Sequence, residues 1–459
     1  MKMRSESNSI VNPVTEGNIK KEVLLFFFPI FFGSLFQQVY NAADAMIVGR
    51  FLGKEALSAV GGSAGMIILL VVGFFVGLSS GASVLVSQYY GAKNEERVSA
   101  SVHTVMMFGL LCGILITFAG IVLTPAMLRL LDTPADTMEM SVIYLRVYFA
   151  GMTGNLLYNI GSGVLRAAGD SRRPFLFLVV CCVLNIVLDL IFIIPMGMGV
   201  FGAALATILS QAVSAVLVII IMCRTEDSYR LRPAEAGIDP GIIEKMMKIG
   251  LPAGLQSVMY GVSNLIIQAG VNGLGTDHVA AWATYYKIDG LFWMAMYAYG
   301  IAASTFVGQN YGAGHIERVK KSFITCMVQA AAAAVLISAV IYSISPWLFP
   351  LFTTDPGVNK IGVDMMRYLT RFYVLYVSVE IIPGALRGVG DTLIPMFISG
   401  AWICLLRSIW IIFVMPLKKD MYTMMFSYPL SWSICTAAFF IYLFRYSSLK
   451  EVLRKKDRV

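Results

Sequence analysis

The sequence predicts an all-α integral membrane protein of twelve transmembrane helices, arranged as two six-helix lobes. Three observations predict it: an apolar composition, long unbroken apolar runs, and an internal repeat. Of 459 residues, 58% are hydrophobic and 14% are charged, whereas a soluble domain carries about 25% charged residues. A chain of this size cannot bury that much apolar surface within itself, so lipid must solvate part of it. In a bilayer core every backbone N–H and C=O must be paired internally, which leaves helices or closed barrels. Runs such as 66–76 and 175–195 are apolar almost throughout rather than alternating, and this selects helices.

A spanning helix needs roughly 20 apolar residues. Twelve segments qualify: 21–48, 57–88, 98–124, 139–167, 174–195, 200–223, 242–273, 279–308, 318–345, 361–389, 393–416 and 421–445. The organisation expected from them is an N-terminal tail at 1–20, a first lobe at 21–223, a linker at 224–241, a second lobe at 242–445 and a basic tail at 446–459. The 1–20 stretch is polar and reads as no signal peptide. Of the 35 Lys and Arg residues, 24 lie in or beside the tails and even-numbered loops, and 6 lie around the odd-numbered loops. That bias puts both termini in the cytoplasm, in a multi-pass protein of the bacterial cytoplasmic (inner) membrane.

The repeat supports the count. SQYYGAKNEERV at 87–98 matches GQNYGAGHIERV at 308–319, with seven of twelve positions identical. GVLRAAGDSRRP at 163–174 matches GALRGVGDTLIP at 384–395 at the same offset. Arg146 corresponds to Arg367, Pro29 to Pro252 and Asn41 to Asn264. An even number of helices per half gives both halves one orientation, so the repeats are parallel and a site is expected at their interface or within one half.

Ionisable residues inside spans are costly and mark functional candidates. In the first half these are Asp44 on the first helix and Asp189 on the fifth, joined by Asn185 one turn from Asp189, Thr207 on the sixth helix and Tyr144 on the fourth. Counting rise along each helix puts all five in one shallow layer. Such an oxygen-rich set suits a hard cation such as Na⁺, or a proton shared between two carboxylates in a low dielectric. The second half carries Lys287, Asp289, Arg371, Glu380 and Arg407, which line a cavity, contact substrate or neutralise one another. Polar residues expected along a cavity are Gln37, Asn41, Gln256 and Asn264. Pro29, Pro252 and Pro383 are candidate hinges, since proline removes a helix hydrogen bond. The Gln88–Ala92 and Gln309–Ala313 motifs read as turn and packing devices, and Arg166/Asp170 and Arg387/Asp391 as pairs across helix ends.

Seven cysteines fall inside apolar runs without metal spacing and read as small buried hydrophobes. His103, His278 and His315 form no metal pattern, and no nucleophile–base arrangement is present. An enzyme is therefore not expected, nor a cofactor, a structural metal or a nucleic-acid partner. A monomer in lipid handling a small amphipathic substrate is.

YNAADAMIVGRFLGKEALSAVG at 40–61, GQNYGAG at 308–314, the doubled LRxxGD motif and the two-times-six organisation resemble the multidrug and toxic compound extrusion (MATE) family, in its prokaryotic branches. The resemblance covers roughly residues 20–445. It implies a V of two lobes around a central cavity, and export of cationic and amphipathic drugs against H⁺ or Na⁺ flow by alternating access. Asp44, Asn185, Asp189 and Thr207 match the family's first-lobe cation residues. Where some branches carry an acid on the seventh helix, this chain has Gln256 and Gln268. The excess of Lys287, Arg371 and Arg407 over Asp289 and Glu380 argues against a purely cationic substrate. The alternative expectation is a lipid-linked precursor flippase of the same superfamily.

Overall fold

The computed structural model describes residues 12–235 and 237–454. Residues 1–11 and 455–459 of the expected tails, and Ala236 of the expected linker, lie outside the described residues. Twelve helical spans follow one another. They are α1 (Ile19–Phe51), α2 (Ser63–Gly91), α3 (Glu95–Leu130), α4 (Ala135–Ala150 and Met152–Ala167), α5 (Arg172–Ile193) and α6 (Gly199–Arg224), then α7 (Pro240–Asn272), α8 (Thr276–Gly312), α9 (Ile316–Leu348), α10 (Pro356–Thr370 and Tyr373–Gly388), α11 (Leu393–Leu417) and α12 (Met421–Arg445). Among the described residues nine helices are long and apolar enough to cross a membrane unaided, or ten with the bent α10 pair as one span. The remaining two are α4, which is split at Gly151, and α7, which presents Gln256, Ser257 and Tyr260 to a central cavity.

Side chains of the loops start these helices by satisfying free backbone N–H groups. Asn18 accepts from Lys20 and Lys21, Asn94 from Arg97, Asp239 from Gly241 and Ile242, and Asp355 from Gly357 and Val358. α10 bends by 54° between its two segments. The cause is two i→i+3 turns, Phe372 N to Leu369 O and Leu375 N to Phe372 O, and not Pro383 further along. α1 and α7 run unbroken through Pro29 and Pro252. None of the three candidate hinge prolines therefore breaks its helix in this conformation, because packing against neighbours supports the turn that has lost a hydrogen bond. α11 contains two π-helical stretches, Gly400–Leu405 and Trp410–Val414, with Arg407 between them.

Large apolar side chains face outward in a belt, including Leu115, Phe118, Val122, Leu336 and Phe413. Lipid tails solvate such groups as well as protein does, so helix association depends on close van der Waals packing and buried hydrogen bonds. The α2–α7 crossing shows this. A Cβ at Gly77 or Gly81 would lie within 2.6 Å of α7 backbone, and one at Gly250 would lie 2.4 Å from Leu78 O. α7 from the second half therefore lies against α2 of the first.

The exchange is reciprocal. At the face of the bundle that carries the first and last described residues, here the terminal face, α1 packs into the second half. Phe26 meets Phe306 edge-on at 5.6 Å and Phe27 stacks on Tyr299 at 4.2 Å. Val23, Phe26 and Phe27 thus belong to the second half's core, while Met246 of α7 belongs to the first half's. Beyond Pro29, α1 turns its contacts to α5, with Phe36 against Phe175. Residues 12–18 are docked on the terminal face rather than extending from it. Arg318 donates to Val14 O at 3.1 Å and Gly17 O at 2.8 Å, and Lys93 pairs with Glu16 at 3.1 Å.

Candidate functional site

A cavity of about 630 Å³ lies between the two halves, lined from α1, α2, α4–α8 and α10. Its wall is mostly serine, glutamine, asparagine, aromatic and aliphatic side chains. Three charged residues line it: Arg166, Glu380 and Arg387. Glu380 accepts from Tyr376 OH at 3.1 Å.

At the terminal face the cavity is sealed by a symmetric crossing of α2 and α8. Gln88 Nε2, in the first half, donates to Gly388 O of the second at 2.8 Å. Gln309 Nε2, in the second half, donates to Ala167 O of the first at 2.6 Å. The two bonds are the same bond transposed by the repeat, each serving a carbonyl that the end of α10 or α4 leaves unpaired. Gln309 Oε1 accepts from Asn12, and Gln309 and Asn310 are fully buried. Backbones meet so closely here that a Cβ at Gly91 would lie 2.0 Å from Gln309 O, and one at Gly312 1.9 Å from Gln88 O. With this end sealed, the cavity opens away from the terminal face. Gly312→Val is expected to prevent the seal from forming. A cysteine placed at Ser83 should then become reactive to a water-soluble maleimide added at the terminal face, and absence of that reactivity would show that the crossing tolerates a side chain.

The seal corrects two sequence expectations. The Gln88 and Gln309 motifs bond the halves together rather than only shaping turns. Arg166 and Arg387 do not pair with Asp170 and Asp391. Asp170 caps Arg172 and Arg173 and pairs with Arg173 at 3.3 Å. Asp391 accepts from Tyr442 at 2.8 Å; burial pushes its carboxyl above the usual range, and this bond opposes that shift. Both arginines instead line the cavity.

Further toward the opposite face, Asp44 of α1 and Asp189 of α5 bring their carboxyl groups within hydrogen-bonding reach of each other. Neither can donate to the other unless a proton is added. Asp189 and Asn185 are fully buried, Thr207 and Tyr144 nearly so, and Asp44 is half-buried. Asn185 Nδ2 donates to Thr207 Oγ1 at 3.5 Å, and Thr207 Oγ1 donates to Ala203 O at 3.1 Å. Asp44 Oδ1, both Asp189 oxygens and Asn185 Oδ1 are buried with no donor from the protein. Four orphan acceptors in one place are costly, and their chemistry matches an added proton or a small hard cation. Tyr144 lies beside both carboxyls. Tyr40, one turn before Asp44, faces the cavity and so joins it to the acid pair.

Of the residues expected along a cavity, Gln37, Gln256 and Glu380 line this one, as do Pro29 and Pro383. Asn41, Asn264, Lys287, Asp289, Arg371 and Arg407 do not. Asn41 donates to Gln38 on an exposed stretch, and Asn264 is exposed. Lys287 reaches over the Phe352 ring of the α9–α10 connection at 5.9 Å, and Arg371 over the Tyr342 ring of α9 at 5.7 Å. Arg407 is buried over the Tyr428 ring at 4.1 Å and donates to Ser431 at 3.0 Å. Asp289 accepts from Tyr373 OH and Trp293 Nε1 within the second half's core. These charges form no ion pair with one another among the described residues; aromatic rings and hydroxyls take that place. Asp289→Ala would leave the Tyr373 and Trp293 donors unpaired, at about 1–3 kcal/mol each. A lowered melting temperature in detergent is expected, with Asp289→Asn milder because it keeps an acceptor.

Sequence reasoning overlooked Tyr40, Arg166, Arg387 and the function of Gln88 and Gln309. The available signal was the repeat offset, which pairs Gln88 with Gln309 and Ala167 with Gly388.

The MatE family profile matches twice, over residues 29–191 and 252–412, once in each half. Probable multidrug resistance protein YoeA of Bacillus subtilis is 28% identical over 403 residues, covering 86% of this chain and 87% of that protein. Probable multidrug resistance protein YpnP of the same organism is 30% identical over 383 residues, covering 83% and 84%. Among solved structures, an outward-facing multidrug resistance MATE family transporter of the MOP superfamily superposes with a TM-score of 0.87 at 22% identity, covering 95% of this chain and 98% of that one. The doubled profile match, the twelve helices and the cavity between two repeats lead to one conclusion: this chain belongs to the multidrug and toxic compound extrusion (MATE) family of multi-pass membrane transporters, which are not enzymes.

Proposed function

We propose that the protein exports small amphipathic molecules in exchange for H⁺ or Na⁺ by alternating access. Both termini are cytoplasmic in this reading, in accord with the Lys and Arg bias, so the sealed terminal face is the cytoplasmic one and the cavity faces outward. The chain acts as a monomer in the bacterial cytoplasmic membrane, without cofactor or nucleic acid. The observation that carries the reading is the meeting of Asp44 and Asp189, with four buried orphan oxygens around them.

Two facing carboxylates screened from water repel when both are ionised, and one bound cation relieves this. Asp44, Asn185, Asp189 and Thr207 would hold the ion, with Tyr144 and Tyr40 beside them. A ligand shifts a conformational equilibrium only by its differential affinity for the two states. The ion must therefore bind better to the state that releases substrate. α1 is the connecting element, because its terminal third lies in the second half and its remainder lies on α5 next to Asp189. Drawing the acids together moves the α1 wall of the cavity, including Gln37 and Tyr40.

Inside-out vesicles loaded through an imposed Na⁺ gradient or an imposed pH gradient test this. Accumulation of rhodamine 6G under one of the two gradients, absent from vesicles without the protein, is expected. Dye movement under neither gradient would refute cation-coupled export.

A further inference from the structure

We infer that the sealed floor of the cavity is an oxyanion seat, in which Arg166 and Arg387 together grip a carboxylate or phosphate group of the transported molecule. This rests on reading the cavity as the substrate site and deepens it by naming the substrate class. The two arginines are repeat equivalents, one from each half, at the terminal ends of α4 and α10. Both are half-buried and both line the cavity. Neither forms a hydrogen bond or close ion pair among the described residues, although the Glu380 carboxylate, two turns away on α10, attracts Arg387 electrostatically. The acids that follow them in sequence are taken by Arg173 and Tyr442.

Each residue immediately after an arginine, Ala167 or Gly388, is tied to the opposite half by a seal bond. Sealing therefore places one arginine from each half beside the closed end of the cavity. The hydroxyls of Ser83 and Ser304, also repeat equivalents, line the same cavity, and Ser83 Oγ donates within its own helix to Ser79 O at 3.4 Å, a long bond that a ligand can replace. Guanidinium groups suit an anion because their planar donor sets match carboxylate and phosphate oxygens. The remaining charge in the wall, Glu380, lies seven residues before Arg387 on α10, about 10 Å along the helix. The cavity is thus positive at its sealed end and negative above it. It fits a zwitterionic or anionic amphiphile, with the anionic group held at the floor and any cationic group toward Glu380.

Three xanthene dyes of similar shape and different charge test the seat: carboxyfluorescein (anionic), rhodamine B (zwitterionic) and rhodamine 6G (cationic). Binding to the purified full chain in lipid nanodiscs is read by fluorescence anisotropy. Arg166→Gln with Arg387→Gln should weaken carboxyfluorescein and rhodamine B by about ten-fold or more and leave rhodamine 6G unchanged. Arg166→Lys with Arg387→Lys should retain most of the affinity. On the wild-type protein, benzoate should displace carboxyfluorescein but not rhodamine 6G, an arm that does not depend on any variant folding. The seat is overturned if the Gln pair binds the anionic dye within two-fold of wild type, if all three dyes weaken alike, or if benzoate displaces nothing. Because binding needs no gradient, failure of vesicle export with these binding differences intact would remove the exporter reading and leave the seat. Gradient-driven export of carboxyfluorescein or rhodamine B that is indifferent to both arginines would do the reverse.

Discussion

Asp44→Asn and Asp189→Asn are each expected to reduce gradient-driven export to background while leaving the protein folded and inserted. An amide keeps the shape of the carboxyl group but removes the charge that ion binding would neutralise. Two unit charges 4 Å apart interact by about 4 kcal/mol at an effective dielectric of 20. Moving a two-state equilibrium from 1:99 to 99:1 takes about 5.5 kcal/mol. The repulsion between Asp44 and Asp189 is therefore large enough to supply most of the switch. Asp189 should be the more sensitive of the two, because it is fully buried with both oxygens unpartnered, whereas Asp44 is half-buried. Vesicle export assays with melting temperatures in parallel decide the matter. A folded variant that exports at the wild-type rate would refute coupling at this pair.

Gln88→Ala combined with Gln309→Ala is expected to shift the resting population away from the terminally sealed state. Each substitution leaves a buried carbonyl, Gly388 O or Ala167 O, without its donor, at about 1–3 kcal/mol. Together they bias the equilibrium by about 2–6 kcal/mol, which is at least about thirty-fold in population. Each single variant should give roughly half that shift, since the repeat makes the two bonds equivalent. Spin labels placed on the terminal ends of α4 and α10 would report the change as a longer distance distribution. Distributions that match wild type in the double variant would show that the glutamines are not what holds this face shut. The melting temperature should fall less than the population shifts, because the unsealed state does not contain these two bonds and loses nothing.

The number and order of the spans were legible because lipid solvates them. Runs such as 66–76 need no tertiary partner to remain helical. Helix interruptions were less legible. The break at Gly151 in α4 and the 54° bend in α10 come from local i→i+3 turns and contain no proline, whereas the prolines that attracted attention, Pro29, Pro252 and Pro383, sit in continuous helix. Depth was readable by counting rise from each helix end, so the shared layer of Asp44, Tyr144, Asn185, Asp189 and Thr207 could be anticipated. Facing was not. A span apolar on every side carries little signal for which side meets protein and which meets lipid. For that reason Lys287 and Arg371 could be placed at the right depth and still point toward Phe352 and Tyr342 instead of the cavity. Arg407 and Asp289 carry the same lesson, since tyrosines, a tryptophan and a serine partner them in place of each other.

The sequence by itself determined that this is a helical membrane protein built twice, with two acids in the first half at one depth that have no counterpart in the second. Composition and periodicity suffice for that, because they report each residue's environment along its own helix. Only the tertiary structure decided that α1 and α7 exchange halves at the terminal face, that Gln88 and Gln309 bond across the repeat, and that Arg166 and Arg387 turn away from their neighbouring acids into the cavity. These are relations between residues far apart in the chain, fixed by backbone approaches that only glycines such as Gly91 and Gly312 permit. The energy of such a contact depends on its partner's position, and no local pattern encodes that.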